Sequence, residues 1–267
     1  MLLGTPELCT LQVRAVRPPI AWQATVPPSA AGEWDGPVLA VRALRTPLAP
    51  GAAARLDWAP SGWLRASHAR RRAPAARAGR LADLGGAFRV DDLGVIVLAI
   101  DPQGRILVAK RARALGLRAG AWTATASGAV DPTLDRGGRG HGLGVGLAAA
   151  VRELTEETGL RPAGPDAVEP LGLVREWRRA GKPELVVRMT VRSHRALWLR
   201  PSSEISVLRA IPDTRLRADP TMAGHADLPL RVALALHWQT PRPGSAEGCG
   251  ANALELPAVR SAARSWY

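Results

Sequence analysis

The run AAAVRELTEETGL at positions 148–160 constrains the fold of this chain more than any other part of its sequence. At 100° per residue, a helix through this run has one apolar face and one acidic face. The apolar face consists of Leu147, Val151, Leu154 and Thr158, and the acidic face of Glu153, Glu156 and Glu157. Gly159 follows the run at the position where a glycine in the left-handed conformation commonly ends a helix. The run therefore predicts an amphipathic helix over residues 147–158 that packs through one face and carries carboxylates on the other.

The acidic face calls for a compensating charge. Like charges at this spacing repel by roughly a few tenths of a kcal/mol per pair, and the helix dipole also disfavours negative charge near the C-terminal end. A hard divalent cation would offset this repulsion, because magnesium is usually held by one or two carboxylates together with water and phosphate oxygens. Arg152 can pair with Glu156 one turn further on. From these residues alone, a solvated acidic helix face is the stronger interpretation.

The segments around this helix predict an α/β fold. An apolar run at 90–100, the tetrad DPQG and a second run at 105–111 are typical of a β-hairpin. Further elements are predicted as strands at 122–126, 167–174 and 184–192 and as a helix at 228–238. The glycine-dense stretch 137–146 predicts a mobile loop, because glycine loses the most backbone entropy on ordering. We therefore expect an α/β sandwich around a mixed sheet.

The two ends of the chain differ from this middle part. Residues 1–88 are rich in proline and predict only short strands, such as one at 38–44. The basic run at 68–80 is either a solvated connector or an anchor for an anionic partner. The sequence after residue 240 is rich in Gly, Pro and Ser and predicts a loose tail. The predicted organisation is an N-terminal extension over 1–88, a domain over 89–240 and a tail over 241–267.

Charge and composition narrow the classes of partner. The formal net charge is +13, and all the basic residues except Lys110 and Lys182 are arginines. Because the arginines are scattered and not interleaved with aromatic residues, a nucleic-acid partner is not favoured. The longest apolar run, at 93–100, is less than half of the roughly 20 residues that a membrane-spanning helix needs. With no secretory signal at the start, the sequence predicts a cytoplasmic protein without a membrane anchor.

The acidic helix resembles a known family. Residues 152–160, RELTEETGL, match position for position the second half of the Nudix box, Arg-Glu-U-x-Glu-Glu-x-Gly-U, where U is a bulky apolar residue. The pair Lys110-Arg111, the Gly-x-Trp at 120–122 and the segment SGAVDP at 127–132 are similar to the residues that precede the box. The resemblance covers residues 91–239 and implies a Nudix-type α/β/α sandwich.

The first half of the box departs from the family pattern. Counting back from Arg152 without a gap places Gly138 at the box glycine, but it places Gly144 where the family has a glutamate. We therefore interpret the glycine-dense stretch as an insertion. In that register Gly128 is the box glycine, and Asp131 or Asp135 stands near the missing acid.

The resemblance implies a hydrolase that depends on magnesium or manganese and cleaves the phosphoanhydride of a nucleoside diphosphate linked to another moiety. By that resemblance Glu156 and Glu157 are direct metal ligands, and Glu153 is a ligand or positions the attacking water. Arg152 orients the cluster. A backbone carbonyl around Ser127 and Gly128 completes the shell. A further carboxylate is expected from Glu204, Glu184 or Glu176, and the substrate is expected to contact Lys110 and Arg111.

Two other functions are compatible with this family. One is a module that binds or senses a nucleotide without hydrolysing it, which the loss of the glutamate at Gly144 favours. The other is an isomerase acting on a prenyl diphosphate, but that chemistry needs a cysteine inside the domain. Cys9 and Cys249 both lie outside it. The predicted partner is a small nucleotide-type diphosphate, and the resemblance also allows a homodimer.

Overall fold

The computed structural model describes ten stretches of the chain, and its centre is a mixed sheet of eight strands. The described residues are 3–4, 12–15, 37–45, 55–62, 92–113, 119–135, 143–176, 182–192, 204–218 and 226–240. The strands of this sheet are β1 (Leu3–Gly4), β5 (Gly94–Ile100), β6 (Ile106–Arg111), β7 (Trp122–Thr123), β8 (Ala126–Ala129), β9 (Val168–Glu176), β10 (Lys182–Thr190) and β11 (Ile205–Ile211). Their order is β1-β9-β10-β5-β6-β11, with β7 on β6 and β8 on β5. Strands β10 and β5 run parallel, and the other pairs of this sheet are antiparallel.

Two helices cover the two faces of the sheet. Helix α1 (Gly144–Thr158) packs on one face, where alternate residues of β5 such as Val95 and Val97 join Leu154 in one buried cluster. Helix α3 (Leu228–Gln239) packs on the other, where Ile96 and Leu98 join Leu230. The short helix α2 (Asp213–Ala218) adds Leu216 to this second cluster. Strand β5 is buried throughout because both of its faces are covered. The expected α/β sandwich around a mixed sheet is confirmed.

Helix α1 ends as predicted but begins earlier. Its last residue precedes Gly159, which has a φ of 71° and donates its N–H to Thr155 O. The prediction of a loop through residue 146 was wrong at its C-terminal end, because Gly144–Gly146 form the first turn of the helix. A Cβ atom on Gly146 would lie 2.7 Å from Leu185 Cδ2. Glycine here allows the helix to approach the sheet closely, and residues 136–142 lie outside the described residues.

The predicted hairpin is present. Asp101 accepts hydrogen bonds at Oδ1 from the N–H groups of Gln103 and Arg105, at 2.9 and 2.8 Å, and Gly104 adopts a φ of 74°. The strand predicted at 122–126 is instead two strands, β7 and β8. Thr125 lies between them, accepting a hydrogen bond from Ala99 N–H at 2.8 Å and donating its hydroxyl to the carbonyl of Leu107. These side-chain bonds replace regular strand pairing at this position.

Residues before the domain also contribute to the fold. Strand β1 pairs with β9, and β2 (Gln12–Ala15), β3 (Pro37–Arg45) and β4 (Arg55–Gly62) form a second sheet in the order β2-β4-β3. The predicted strand at 38–44 is thus found in β3. Leu39 of β3 is buried in the α1 cluster, and its N–H donates to Val130 O at 2.8 Å. The basic run at 68–80 and the tail at 241–267 lie outside the described residues. Within the described ranges, no helix is both long and apolar enough to cross a membrane.

Candidate active site

The acidic face of α1 lies against β8. A Cβ atom on Gly128 would stand 2.0 Å from the carboxyl carbon of Glu153, so the Glu153 side chain occupies the space that a larger residue would fill. Next to it, Glu157 Oε1 accepts the N–H of Ser127 at 3.3 Å. The residues predicted to supply a main-chain oxygen, Ser127 and Gly128, therefore lie directly beside two of the three box glutamates.

Glu157 is the most strongly perturbed acid of this cluster. Burial, together with the negative charges of Glu204 and Glu153, raises the pKa of Glu157 to about 9. The N–H of Ser127 and the positive charge of Arg111 act in the opposite direction. Burial likewise raises the pKa of Glu153, against the lowering effect of Arg152. The site therefore holds carboxylates in surroundings that disfavour their negative charge.

Glu156 is placed differently from its two neighbours. Its side chain is 56% exposed, and its Oε2 accepts a hydrogen bond from Arg152 Nη1 at 3.0 Å. It lies at the solvent-facing rim of the site, whereas Glu153 and Glu157 lie against the strand.

Glu204 is the fourth acid of this cluster. It precedes β11, its carbonyl accepts the N–H of Ala112 at 2.8 Å, and its charge raises the pKa of both Glu153 and Glu157. Of the other two candidates, Glu184 is buried on the α3 face of the sheet, with its Oε1 2.8 Å from Lys182 Nζ. The main chain of Glu176 lies opposite that of Lys182 where β9 pairs with β10. Among the described side chains, Glu204 is the candidate that lies with the carboxylates of α1.

Lys110 and Arg111 are consecutive residues of β6 and point to opposite faces of the sheet. The charge of Arg111 acts on Glu157, which places it beside the acids. Lys110 Nζ instead lies 5.7 Å from the ring centroid of Trp122, and the Arg209 guanidinium lies 5.3 Å from the same ring. Of the two residues predicted to contact the substrate, Arg111 thus lies beside the carboxylates and Lys110 lies beside Trp122.

Arg152 links the acidic face to the loop that precedes the helix. Its guanidinium donates to both carboxylate oxygens of Asp135, to the carbonyl of Ala129 and to the carboxylates of Glu153 and Glu156. The sequence placed Asp131 or Asp135 near the missing box glutamate, and in the structure Asp135 contacts Arg152. The contact with Ala129 O was not predicted, because a main-chain acceptor leaves no signal in the sequence.

The donor set fits a magnesium or manganese ion that is shared with its substrate. Among the residues described, no three His, Cys, Asp or Glu side chains are grouped closely enough to hold a metal ion by themselves. Magnesium does not need such a cage, because one or two carboxylates with water and phosphate oxygens suffice. Glu157, with its pKa raised by burial and by two other carboxylates, is an acid that a cation would return to its ionised form.

A comparison with family models identifies the family of this chain. The profile of the NUDIX domain matches residues 91–228, more than half of the chain, and the chain therefore belongs to the Nudix family. Among curated proteins, none matches this chain.

Several solved structures are similar to this chain. One is the NUDIX domain of Shewanella oneidensis NrtR complexed with ADP ribose, with 18% identity, a TM-score of 0.42 and coverage of 61% of this chain and 96% of that chain. Another is DR0079 from Deinococcus radiodurans, with 19% identity, a TM-score of 0.38 and coverage of 55% and 82%. A third is the MutT protein from Methanosarcina mazei Go1, with 16% identity, a TM-score of 0.39 and coverage of 57% and 96%.

Proposed function

We propose that this protein is a hydrolase dependent on magnesium or manganese that cleaves the phosphoanhydride of a nucleoside diphosphate linked to another moiety. The observation that carries the proposal is the group of mutually repelling carboxylates formed by Glu153 and Glu157, where α1 meets β8, and by Glu204 before β11, with the pKa of Glu157 raised to about 9. Such a group is unfavourable by itself and becomes favourable around a cation. The proposed reaction class, hydrolysis, rests on the membership of the chain in the Nudix family.

Each residue of the site has a role in this proposal. Glu153, Glu157 and Glu204 hold the cation together with a main-chain oxygen at Ser127 or Gly128, and Glu156 contributes from the exposed rim. Arg152 orients the glutamates. Arg111 contacts a substrate phosphate, while Lys110 belongs to the other face of the sheet. When bound, the ion would neutralise the phosphate oxygens and activate water. In the overall hydrolysis the water oxygen bonds to one phosphorus, the bond from that phosphorus to the bridging oxygen breaks, and the second phosphate leaves with the bridging oxygen while the water gives up a proton.

One observation favours the alternative of a binding module without hydrolysis. The position that carries a glutamate in the ungapped box is Gly144, which is the first residue of α1 and supplies no carboxylate. The two functions share the fold and the ligand class and differ only in turnover.

A substrate panel with paired metal conditions tests the proposal. The full chain is incubated with ADP-ribose, nucleotide sugars, dinucleoside polyphosphates, NAD-like dinucleotides, coenzyme A and oxidised nucleoside triphosphates, each with magnesium, manganese or EDTA. We expect a phosphate-bearing product from at least one substrate with metal and none with EDTA. Binding of a substrate without product formation under either metal would favour the binding module.

A further inference from the structure

The guanidinium of Arg152 has all of its donors in use. A guanidinium carries five N–H groups, and five acceptor contacts are made around this one. They are Asp135 Oδ1 at 2.8 Å, Asp135 Oδ2 at 3.1 Å, Ala129 O at 2.9 Å, Glu153 Oε1 at 2.8 Å and Glu156 Oε2 at 3.0 Å. Two of these acceptors belong to the acidic face, and the others hold the guanidinium from outside the helix.

Asp135 is the buried anchor of this arrangement. Its side chain is 1% exposed, and its two oxygens receive Nε and Nη2 of Arg152 in a bidentate contact. Burial alone would lower the pKa of Arg152, but the hydrogen bond to Asp135 and the charges of Glu153 and Asp135 raise it. Arg152 thus remains a cation with its plane fixed by an acid that follows β8.

Asp131 has a different task in the same loop. Its Oδ1 accepts the N–H groups of Thr133 and Leu134 and the hydroxyl of Thr133, which closes a tight turn. Its main-chain N–H donates to Asp135 Oδ2 at 2.8 Å, and its carbonyl accepts the N–H of Asp135 at 2.9 Å. The turn made by Asp131 therefore aims Asp135 at the arginine, and of these two acids only Asp135 touches Arg152.

We propose that Asp135 is the positioning residue of the site, supplying from the loop after β8 the acid that this chain lacks at Gly144. This inference rests on the proposed hydrolase function. Two physical effects carry it. Asp135 fixes the plane of the guanidinium, so that hydrogen bonds from Nη1 hold the carboxylates of Glu153 and Glu156 in one arrangement. Asp135 also balances the charge of Arg152, which leaves the negative charge of the glutamates available to a cation.

The charge-neutral variant Asp135→Asn, with Asp135→Glu as the conservative variant and Asp166→Asn as a control, tests this role. Asp166 is exposed in the short turn at Pro165–Ala167, so its change alters net charge equally without touching Arg152. Outer-shell partners of metal ligands typically affect metal affinity or activity by about 10- to 100-fold. We expect Asp135→Asn to lower kcat by a factor in that range and to raise by a similar factor the magnesium concentration needed for a given rise in Tm. KM should change by less than about threefold, and Asp135→Glu should recover part of the loss.

The outcomes separate the two proposals. If the unchanged protein hydrolyses nothing in the panel, the proposed function fails. If it is active and folded Asp135→Asn keeps its kcat and its magnesium response, the positioning role is overturned and Asp135 is only a structural residue. Should Asp135→Asn fail to fold, Asp135→Ser takes its place, because the smaller serine also lacks the carboxylate. Unchanged kcat and magnesium response in this variant would contradict the proposal, and a loss in both at unchanged Tm without metal would support it.

Discussion

Gly128 decides where the carboxylate of Glu153 can lie. The side chain of Glu153 occupies the position that a Cβ atom would take on Gly128. The glycine is thus required by a close approach between α1 and β8, and its φ lies outside the left-handed region. The site therefore requires the lack of a side chain at Gly128 as much as it requires the glutamates.

We predict that Gly128→Ala displaces the Glu153 carboxylate and weakens the response to metal. The new Cβ would stand 2.0 Å from Glu153 Oε1, a distance that forces the flexible end of the side chain to move. The magnesium concentration at half-maximal stabilisation, read from thermal unfolding, should increase. Gly164→Ala is the matched control, because a Cβ there meets nothing within 4 Å. An unchanged magnesium midpoint in Gly128→Ala would argue against a metal-binding role for Glu153.

The raised pKa of Glu157 predicts a specific dependence of stability on pH. A carboxyl group whose pKa rises from 4.5 unfolded to about 9 folded binds its proton more tightly in the native state. Its contribution to the free energy of unfolding is therefore full below about pH 4.5 and is lost as the pH rises towards 9. In EDTA, urea unfolding between pH 5.5 and 8.5 should show a decline with pH that is smaller in Glu157→Gln. If the free energy of unfolding changed with pH equally in the two proteins, Glu157 would not have the raised pKa described for it.

Helix α1 combines a packing function and a chemical function on its two sides. Leu154 is completely buried in the cluster with β5, while Glu153 and Glu157, its near neighbours on the helix, lie against β8. The close approach at Gly146 sets the distance between the helix and the sheet. Because the two faces belong to one rigid element, the packing face positions the acids.

We predict that Leu154→Ala lowers the free energy of unfolding by roughly 2–5 kcal/mol, through lost burial and the cavity that remains. Leu134→Ala is the control, since Leu134 is 68% exposed and the same change there should cost little. Urea unfolding of both variants gives the comparison. Similar, small losses in the two variants would mean that α1 does not pack on the sheet as described.

In the molecule as a whole, the acidic site and the buried charges of β10 lie on opposite faces of the sheet. Lys182 and Glu184 form a buried ion pair, and a Cβ on Gly94 would meet both side chains. Farther along the same strand, the guanidinium of Arg188 contacts Glu169 and the Nδ1 of His237. These contacts join β9, β10 and α3, and they are separated from Glu157 by the sheet.

Breaking the buried pair should therefore affect stability without affecting the site. Lys182→Met removes the cation beside buried Glu184, and such a loss typically costs roughly 3–5 kcal/mol. The double variant Lys182→Met/Glu184→Leu should recover much of that loss. Both proteins, once folded, should keep the magnesium midpoint of the unchanged chain, measured as the metal-induced rise in Tm. A shifted midpoint would show that the two faces are coupled.

Periodicity and local motifs predicted the elements of the domain well. The helical spacing of apolar and acidic residues predicted helix α1, and Gly159 predicted its end, because both signals are local. The start of α1 was mispredicted, since glycines that allow close helix–sheet packing resemble those of a loop. The opposite directions of Lys110 and Arg111 follow from the two-residue period of the predicted strand and could have been predicted. The proximity of Glu204 depends on how distant strands pair. Residue types and spacings carry no such information for segments this far apart in the chain.

The most direct test of the account compares Glu157→Gln with the unchanged protein in the hydrolysis assay with magnesium. The substitution is nearly isosteric and removes one anionic oxygen ligand, so we expect a fall mainly in kcat and in metal affinity. In EDTA its stability at neutral pH should lie above that of the unchanged chain, because Glu157 must take up a proton on folding at this pH and glutamine need not. If Glu157→Gln kept full turnover and full magnesium response, the acidic face of α1 would be only a solvated surface, and the proposed function would be contradicted.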